Sequence, residues 1–150
     1  MYLHRLIAIM KILIASLLFL IFLFLAVIHI YWGFGGKSGA AASIPTKENN
    51  KPVIKPSAID CFVVAIALLC FGVFVLVKAD IIVFGLPTWL LNYGLWVVAA
   101  IFLLRAMGEF KYVGFFKKIK TTQFGQLDTK YYSPLCLVIV ILSIILELIN

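Results

Sequence analysis

The chain has 150 residues, 65% of them hydrophobic, 15% aromatic and only 13% charged, with a formal net charge of +7. Charged residues normally make up about a quarter of a soluble domain, so this chain has too few to coat a water-facing surface, and its mean hydropathy of +1.16 agrees. The basic residues sit between apolar runs, where Lys and Arg act as topology signals and anionic-lipid contacts, so nucleic acid is excluded as a partner.

The first apolar run covers residues 12–32 and ends at the turn-forming Gly33, Phe34, Gly35 and Gly36. A bilayer core of about 30 Å needs around 20 helical residues, and the run is long enough. A signal-peptide core is shorter, about 7 to 15 residues, so this reads as an uncleaved first helix with Tyr31 and Trp32 as interfacial anchors. Residues 37–56 turn polar, with Pro45, Pro52 and Pro56, and read as an extramembrane loop. The second run covers 57–77, with Asp60 near its start. Ile81 to Phe84 is apolar but too short to cross, and either lies at the interface or extends the second helix. The third run covers 87–105, with Trp89 as an aromatic anchor. The fourth covers 132–149, after the anchors Tyr131 and Tyr132. The fold expected is all-α: residues 1–150 as one integral membrane bundle of four transmembrane helices, with a basic, aromatic interfacial segment between the third and fourth.

Four crossings put both termini at one end and both long loops at the other. Arg5, Lys11 and Lys78 fall at the terminal end. Lys37, Lys47, Lys51, Lys55, Arg105, Lys111, Lys117, Lys118, Lys120 and Lys130 fall at the loop end. The positive-inside rule then makes the loops cytoplasmic and the termini external, although Arg5 and Lys11 alone would hold the N-terminus inside.

Ionisable groups within or beside spans are costly in hydrocarbon and mark candidate sites. His29, Asp60, Arg105 and Glu109 collect at the loop end as a candidate polar rim. Arg105 and Glu109 would share a face if the third helix runs on past Leu104. In this rim His29 is the expected proton-active group, and Arg105 is the anion holder. The bland alternative is an Arg105–Glu109 ion pair that anchors helix ends. A metal site from His29, Asp60 and Glu109 has no motif spacing behind it. His4 and His29 fall at opposite sides, which argues against paired-histidine haem ligation, and no cofactor or metal is expected. Cys61, Cys70 and Cys136 lie in apolar runs without a CxxC pair and read as packing residues.

Lys111 to Lys120 reads KYVGFFKKIK. At 100° per residue, Tyr112, Phe115, Phe116 and Ile119 share one face while Lys111, Lys117, Lys118 and Lys120 avoid it. An interfacial helix of this kind docks aromatics at the headgroup boundary and draws anionic lipid with its lysines. Gly114 opposes that helix, and a plain membrane-hugging linker is the competing reading.

The stretches His29–Phe34 with Gly35 and Gly36, and Arg105 through Lys117, together with Tyr131, Tyr132, Ser133 and Pro134, resemble the small bacterial membrane proteins of the domain of unknown function 3995 family. The resemblance implies a compact four-helix protein of the bacterial plasma membrane and brings no activity with it. Three classes of function follow from the residues, in this order. The first is a module binding lipid or a small anion at the loop-end rim. The second is an accessory protein docking another membrane protein. The third is a small membrane enzyme using His29 with Glu109 or Asp60. No nucleophile elbow, Walker loop or HExxH motif supports the enzyme.

Overall fold

The computed structural model describes residues 2–49 and 51–150. Among them, four helical stretches are long and apolar enough to cross a membrane. These are α1 (Tyr2–Gly33), α3 (Ala58–Lys78), α4 (Thr88–Met107) and the continuous helix Gln123–Leu148. The last is built from α5 (Gln123–Leu127), a π turn (Asp128–Tyr132) and α6 (Ser133–Leu148). A short α2 (Ala40–Ser43) interrupts the first long loop, followed by an isolated antiparallel bridge between Thr46 and Pro52.

The helices run up and down, so both long loops meet at one end. Tyr132 carries this junction: its hydroxyl lies 3.4 Å from Ser43 Oγ and donates to the Ala42 carbonyl. Packing is tightest within two hairpins, α1 with α3 and α4 with α6. The α3 contribution is a stripe of Cys61, Ala65, Leu68, Gly72, Val75 and Ala79, spaced alternately by four and three residues, and α1 answers with Ala15, Leu18, Phe22 and Ala26. That alternation keeps a seam facing its neighbour. Helices in lipid gain little by hiding apolar surface and associate through close contact, which small residues permit. Gly72 accordingly receives the ring of Phe19 and the Cβ of Phe22.

The hairpins meet through large aromatics. Phe22 of α1 lies 5.9 Å from Phe71 of α3 and 5.6 Å from Phe102 of α4, between ring centroids. Nearer the terminal end, the Phe74 ring fills the place where a side chain on Gly94 of α4 would sit. The outer faces remain apolar: Leu13, Leu17, Leu20, Phe24 and Val27 on α1, and Val97, Ile101 and Leu104 on α4, are all exposed. A surface of that kind suits hydrocarbon and not water.

Two expected boundaries move, and one open alternative is decided. The α1 helix begins ten residues before the expected start, because Tyr2 to Met10 are good helix formers with no proline or glycine among them. The last helix begins at Gln123, capped by Thr122 Oγ1 on the Gly125 amide, so Tyr131 and Tyr132 lie inside a helix rather than before one. At the other end of α3, Ile81 to Phe84 do not extend the helix. The chain reverses at Asp80, which adopts a left-handed conformation (φ 59°) while the Ile81 amide bonds back to the Leu76 carbonyl and the Asp80 amide to that of Val77. This pattern closes a helix C-terminus and satisfies its free carbonyls.

Replacing Gly94 with Leu is expected to force Phe74 from its seat and to lower stability by about 1–3 kcal/mol, as overpacked cores do. A thermal melt in mild detergent checks this, and adding Phe74→Ala should recover part of the loss by making room.

Candidate functional site

The loop-end structure begins where α4 stops. Gly108 (φ 74°) ends the helix, Phe110 takes a positive φ of 66°, and Gly114 (φ 86°) passes directly against the Met107–Gly108 backbone. A side chain on either glycine would collide with the main chain of the other strand of this crossing. Hydrogen bonds from the Phe115 amide to Ala106 O (2.8 Å), from Lys118 to Phe110 O (3.1 Å) and from Ile119 to Lys111 O (3.0 Å) tie the crossing shut. The segment Lys111 to Lys120 is therefore a folded loop and not the expected amphipathic helix. The sign that opposed the helix, Gly114, is the residue that makes the fold of this loop possible.

Asp128 holds the loop to the bundle. Its side chain is fully buried at the first position of the π turn. Oδ1 accepts from Arg105 Nη2 of α4 at 3.0 Å; Oδ2 accepts from Lys117 Nζ at 3.0 Å and from the Gly114 amide at 2.8 Å. The Lys117 ammonium, also fully buried, donates in addition to Gly114 O (2.9 Å) and Thr129 Oγ1 (2.6 Å), so its three protons all find acceptors. Thr129 Oγ1 in turn donates to Gly125 O. The π turn matters here because the Ser133 amide reaches back five residues to the Asp128 carbonyl. The widened turn occurs where Asp128 must reach both α4 and the loop, and such insertions commonly fall at sites of special use. Two cations face one carboxylate, which leaves an excess positive charge. Arg105 is 35% exposed, and its Nη1 has no hydrogen-bond partner among the described residues.

The four expected rim residues do not form one site. Arg105 turns to Asp128 and not to Glu109, because α4 ends at Met107 and leaves Glu109 off the helix; Glu109 instead accepts from the Tyr112 amide at 2.8 Å. Asp60 serves a capping box with Ser57 at the start of α3: the Ser57 amide donates to Asp60 Oδ2 at 2.8 Å and the Asp60 amide to Ser57 Oγ at 3.3 Å. His29 Nδ1 donates to the Leu25 carbonyl at 2.7 Å, with Trp32 edge-on at 5.2 Å between centroids. Since a carbonyl only accepts, that bond fixes a proton on Nδ1 and leaves Nε2 without a hydrogen-bond partner among the described residues. Among the described residues no three His, Cys, Asp or Glu side chains gather as a metal site would require.

Of the expected lipid-binding residues, Lys117 points inward, while Lys111, Phe116, Lys118 and Lys120 are exposed and Tyr112 and Phe115 half-buried. Phe110, not among the expected lipid-binding residues, joins Phe116 as an exposed pair with centroids 6.2 Å apart. The expected anchors divide. Trp89 and Tyr131 are exposed. Tyr31 and Trp32 clasp the glycine turn, with Trp32 Nε1 donating to Ser38 O at 2.9 Å and the Ser38 amide to the Tyr31 hydroxyl at 3.4 Å.

The family model described as Protein of unknown function (DUF3995) matches residues 22–143, and the chain belongs to that family. No curated protein and no solved structure matches it.

Asp128→Asn leaves Lys117 and Arg105 facing each other without the carboxylate. Breaking a buried pair on one side costs about 3–5 kcal/mol, so this variant should lose far more stability than Lys117→Met, which leaves Asp128 paired with Arg105. Thermal unfolding of both variants in detergent tests the order.

Proposed function

We propose that this family member is a bacterial membrane protein whose loop end binds anionic lipid headgroups. The carrying observation is the surface presented by residues 110–120. The aromatic pair Phe110 and Phe116 stands exposed beside Lys111, Lys118 and Lys120, and none of these lysines has an acidic partner among the described residues. Aromatic rings of this kind settle at the headgroup boundary, and each lysine held near an anionic surface adds about 1 kcal/mol of attraction.

The buried cluster supports the same reading by making the surface rigid. Flexible loops lose conformational freedom on binding, whereas a loop already fixed loses less. Here the loop is fixed by Asp128, Lys117 and the Gly108–Gly114 crossing, so lysines and rings keep their spacing in the absence of lipid. Lys37, Lys47, Lys51 and Lys55 of the first loop are exposed at the same end. Under the positive-inside rule that end faces the cytoplasm, where the leaflet carries anionic lipid.

The test is native mass spectrometry of protein released from mild detergent containing equal phosphatidylglycerol and phosphatidylcholine. Wild type should retain phosphatidylglycerol preferentially. The triple variant Lys111→Gln, Lys118→Gln, Lys120→Gln should lose that preference by roughly tenfold or more, given about 1 kcal/mol per lysine. Equal retention of both lipids by wild type, or an unchanged preference in the triple variant, would remove the proposal.

A further inference from the structure

At the opposite end, Lys78 and Glu147 are turned inward while large apolar groups stand outward. The Lys78 ammonium is buried, donating to the Leu91 carbonyl at 2.7 Å and pairing with Glu147 at 3.1 Å, which joins α3, α4 and α6. Asp80 pairs with Lys11 of α1 at 3.4 Å. Along the last helix, Glu147 lies nineteen residues from Asp128, about 28 Å at 1.5 Å per residue, close to the thickness of a bilayer's hydrocarbon core of about 30 Å. The two ion layers therefore mark the two edges of the apolar zone, and the α3–α4 turn begins at the second edge.

That turn has nothing to hold it in water. From Ile81 to Leu104 the sequence contains no charged residue. Val83 is 97% exposed and Phe84 64%, with Ile81 and Ile82 also exposed, and Trp89 stands exposed at the start of α4. The reversal at Asp80 sends the chain back toward the bundle: the Ile81 and Ile82 amides both bond to the Leu76 carbonyl, and the Leu86 amide to that of Phe84. The Ile81, Ile82 and Leu86 amides are thus satisfied within the turn, while those of Val83, Phe84 and Gly85 have no protein partner among the described residues, which sets the turn at the water-containing edge of the hydrocarbon and not in its depth. The turn also continues the exposed apolar faces of the helices it joins, through Val73 on α3 and Tyr93 and Val97 on α4.

We propose that Ile81–Phe84 is a lipid-inserted wedge, seated among the acyl chains at the edge of the terminal-end leaflet, with Trp89 at the headgroup level beside it. The inference rests on the four long helices crossing the bilayer and is independent of lipid selection by the lysines at the other end. The occupant is the phospholipid acyl region, because both helices that carry the wedge adjoin it along their length. The wedge places the Lys78–Glu147 pair at the hydrocarbon boundary, where an unpaired charge would be costly, which accounts for its inward engagement.

The experiment uses a chain with Cys61, Cys70 and Cys136 each replaced by alanine, carrying Val83→Cys or, as a water-exposed control, Lys51→Cys. Each is labelled with a small environment-sensitive fluorophore and reconstituted into liposomes. Lipids brominated on their acyl chains should quench the label at position 83 severalfold more than the label at 51, and iodide present on both sides of the membrane should do the reverse. Iodide quenching at 83 equal to that at 51 would overturn the wedge, as would efficient oxidative crosslinking of Val83→Cys into dimers, which would identify a second copy as the occupant. In the otherwise native chain, Val83→Asp removes almost no protein contact yet should reduce recovery in the membrane fraction; unchanged recovery counts against the proposal.

Discussion

Asp128 holds the loop end of this molecule together. A carboxylate enclosed in apolar surroundings is stable only when its charge and lone pairs are met, and here the groups that meet them come from three places: Arg105 from α4, Lys117 from the loop, and the Gly114 amide at the backbone crossing. Each is held by something else as well. Arg105 sits in the last helical turn, Lys117 also binds Gly114 O and Thr129, and Gly114 is pressed against Met107. The result is a polar knot that ties an otherwise irregular loop to the bundle. The alternating seams of α1 and α3 need no such device, because close packing of small residues is enough.

The scarcity of acids makes the arrangement intelligible. Against 13 basic residues the chain has 6 acidic ones. Asp60 caps α3, Asp80 pairs with Lys11, Glu109 takes the Tyr112 amide, Asp128 holds the loop, and Glu147 holds Lys78. The loop end holds ten basic residues against four acids, Glu48, Asp60, Glu109 and Asp128, so positive charge is left over there, and none of the exposed lysines at that end is ion-paired among the described residues. Positive charge left over in this way is a physical basis for attraction to an anionic surface, independent of any particular motif.

The four long helices were legible because length and unbroken apolarity are properties of the sequence itself, and the family resemblance rested on stretches that the matched region contains. The starts of α1 and of the last helix were not, since Tyr2–Met10 and Gln123–Leu127 lack the uniform apolarity that marks a span. The loop was misread for a sharper reason. Helical periodicity in KYVGFFKKIK kept all the lysines off the aromatic face, but Lys117 is turned inward by a partner eleven residues further on, which periodicity cannot express. A signal did exist: Asp128 is the one acid between Lys111 and Lys130, and an isolated acid beside an apolar run demands a basic partner. The same logic, applied to Glu147 one residue before the last helix's end, would have found Lys78.

The most direct test of the account is hydrogen exchange of the loop backbone, comparing wild type with Asp128→Asn in the same detergent. If Asp128 fastens the loop, the amides of Gly114, Phe115, Lys118 and Ile119 exchange slowly in wild type and quickly in the variant, while the amides of α1 and α3 are unchanged. Equal protection of those loop amides in both proteins would contradict it, and would show that the Gly108–Gly114 crossing stands without the buried carboxylate.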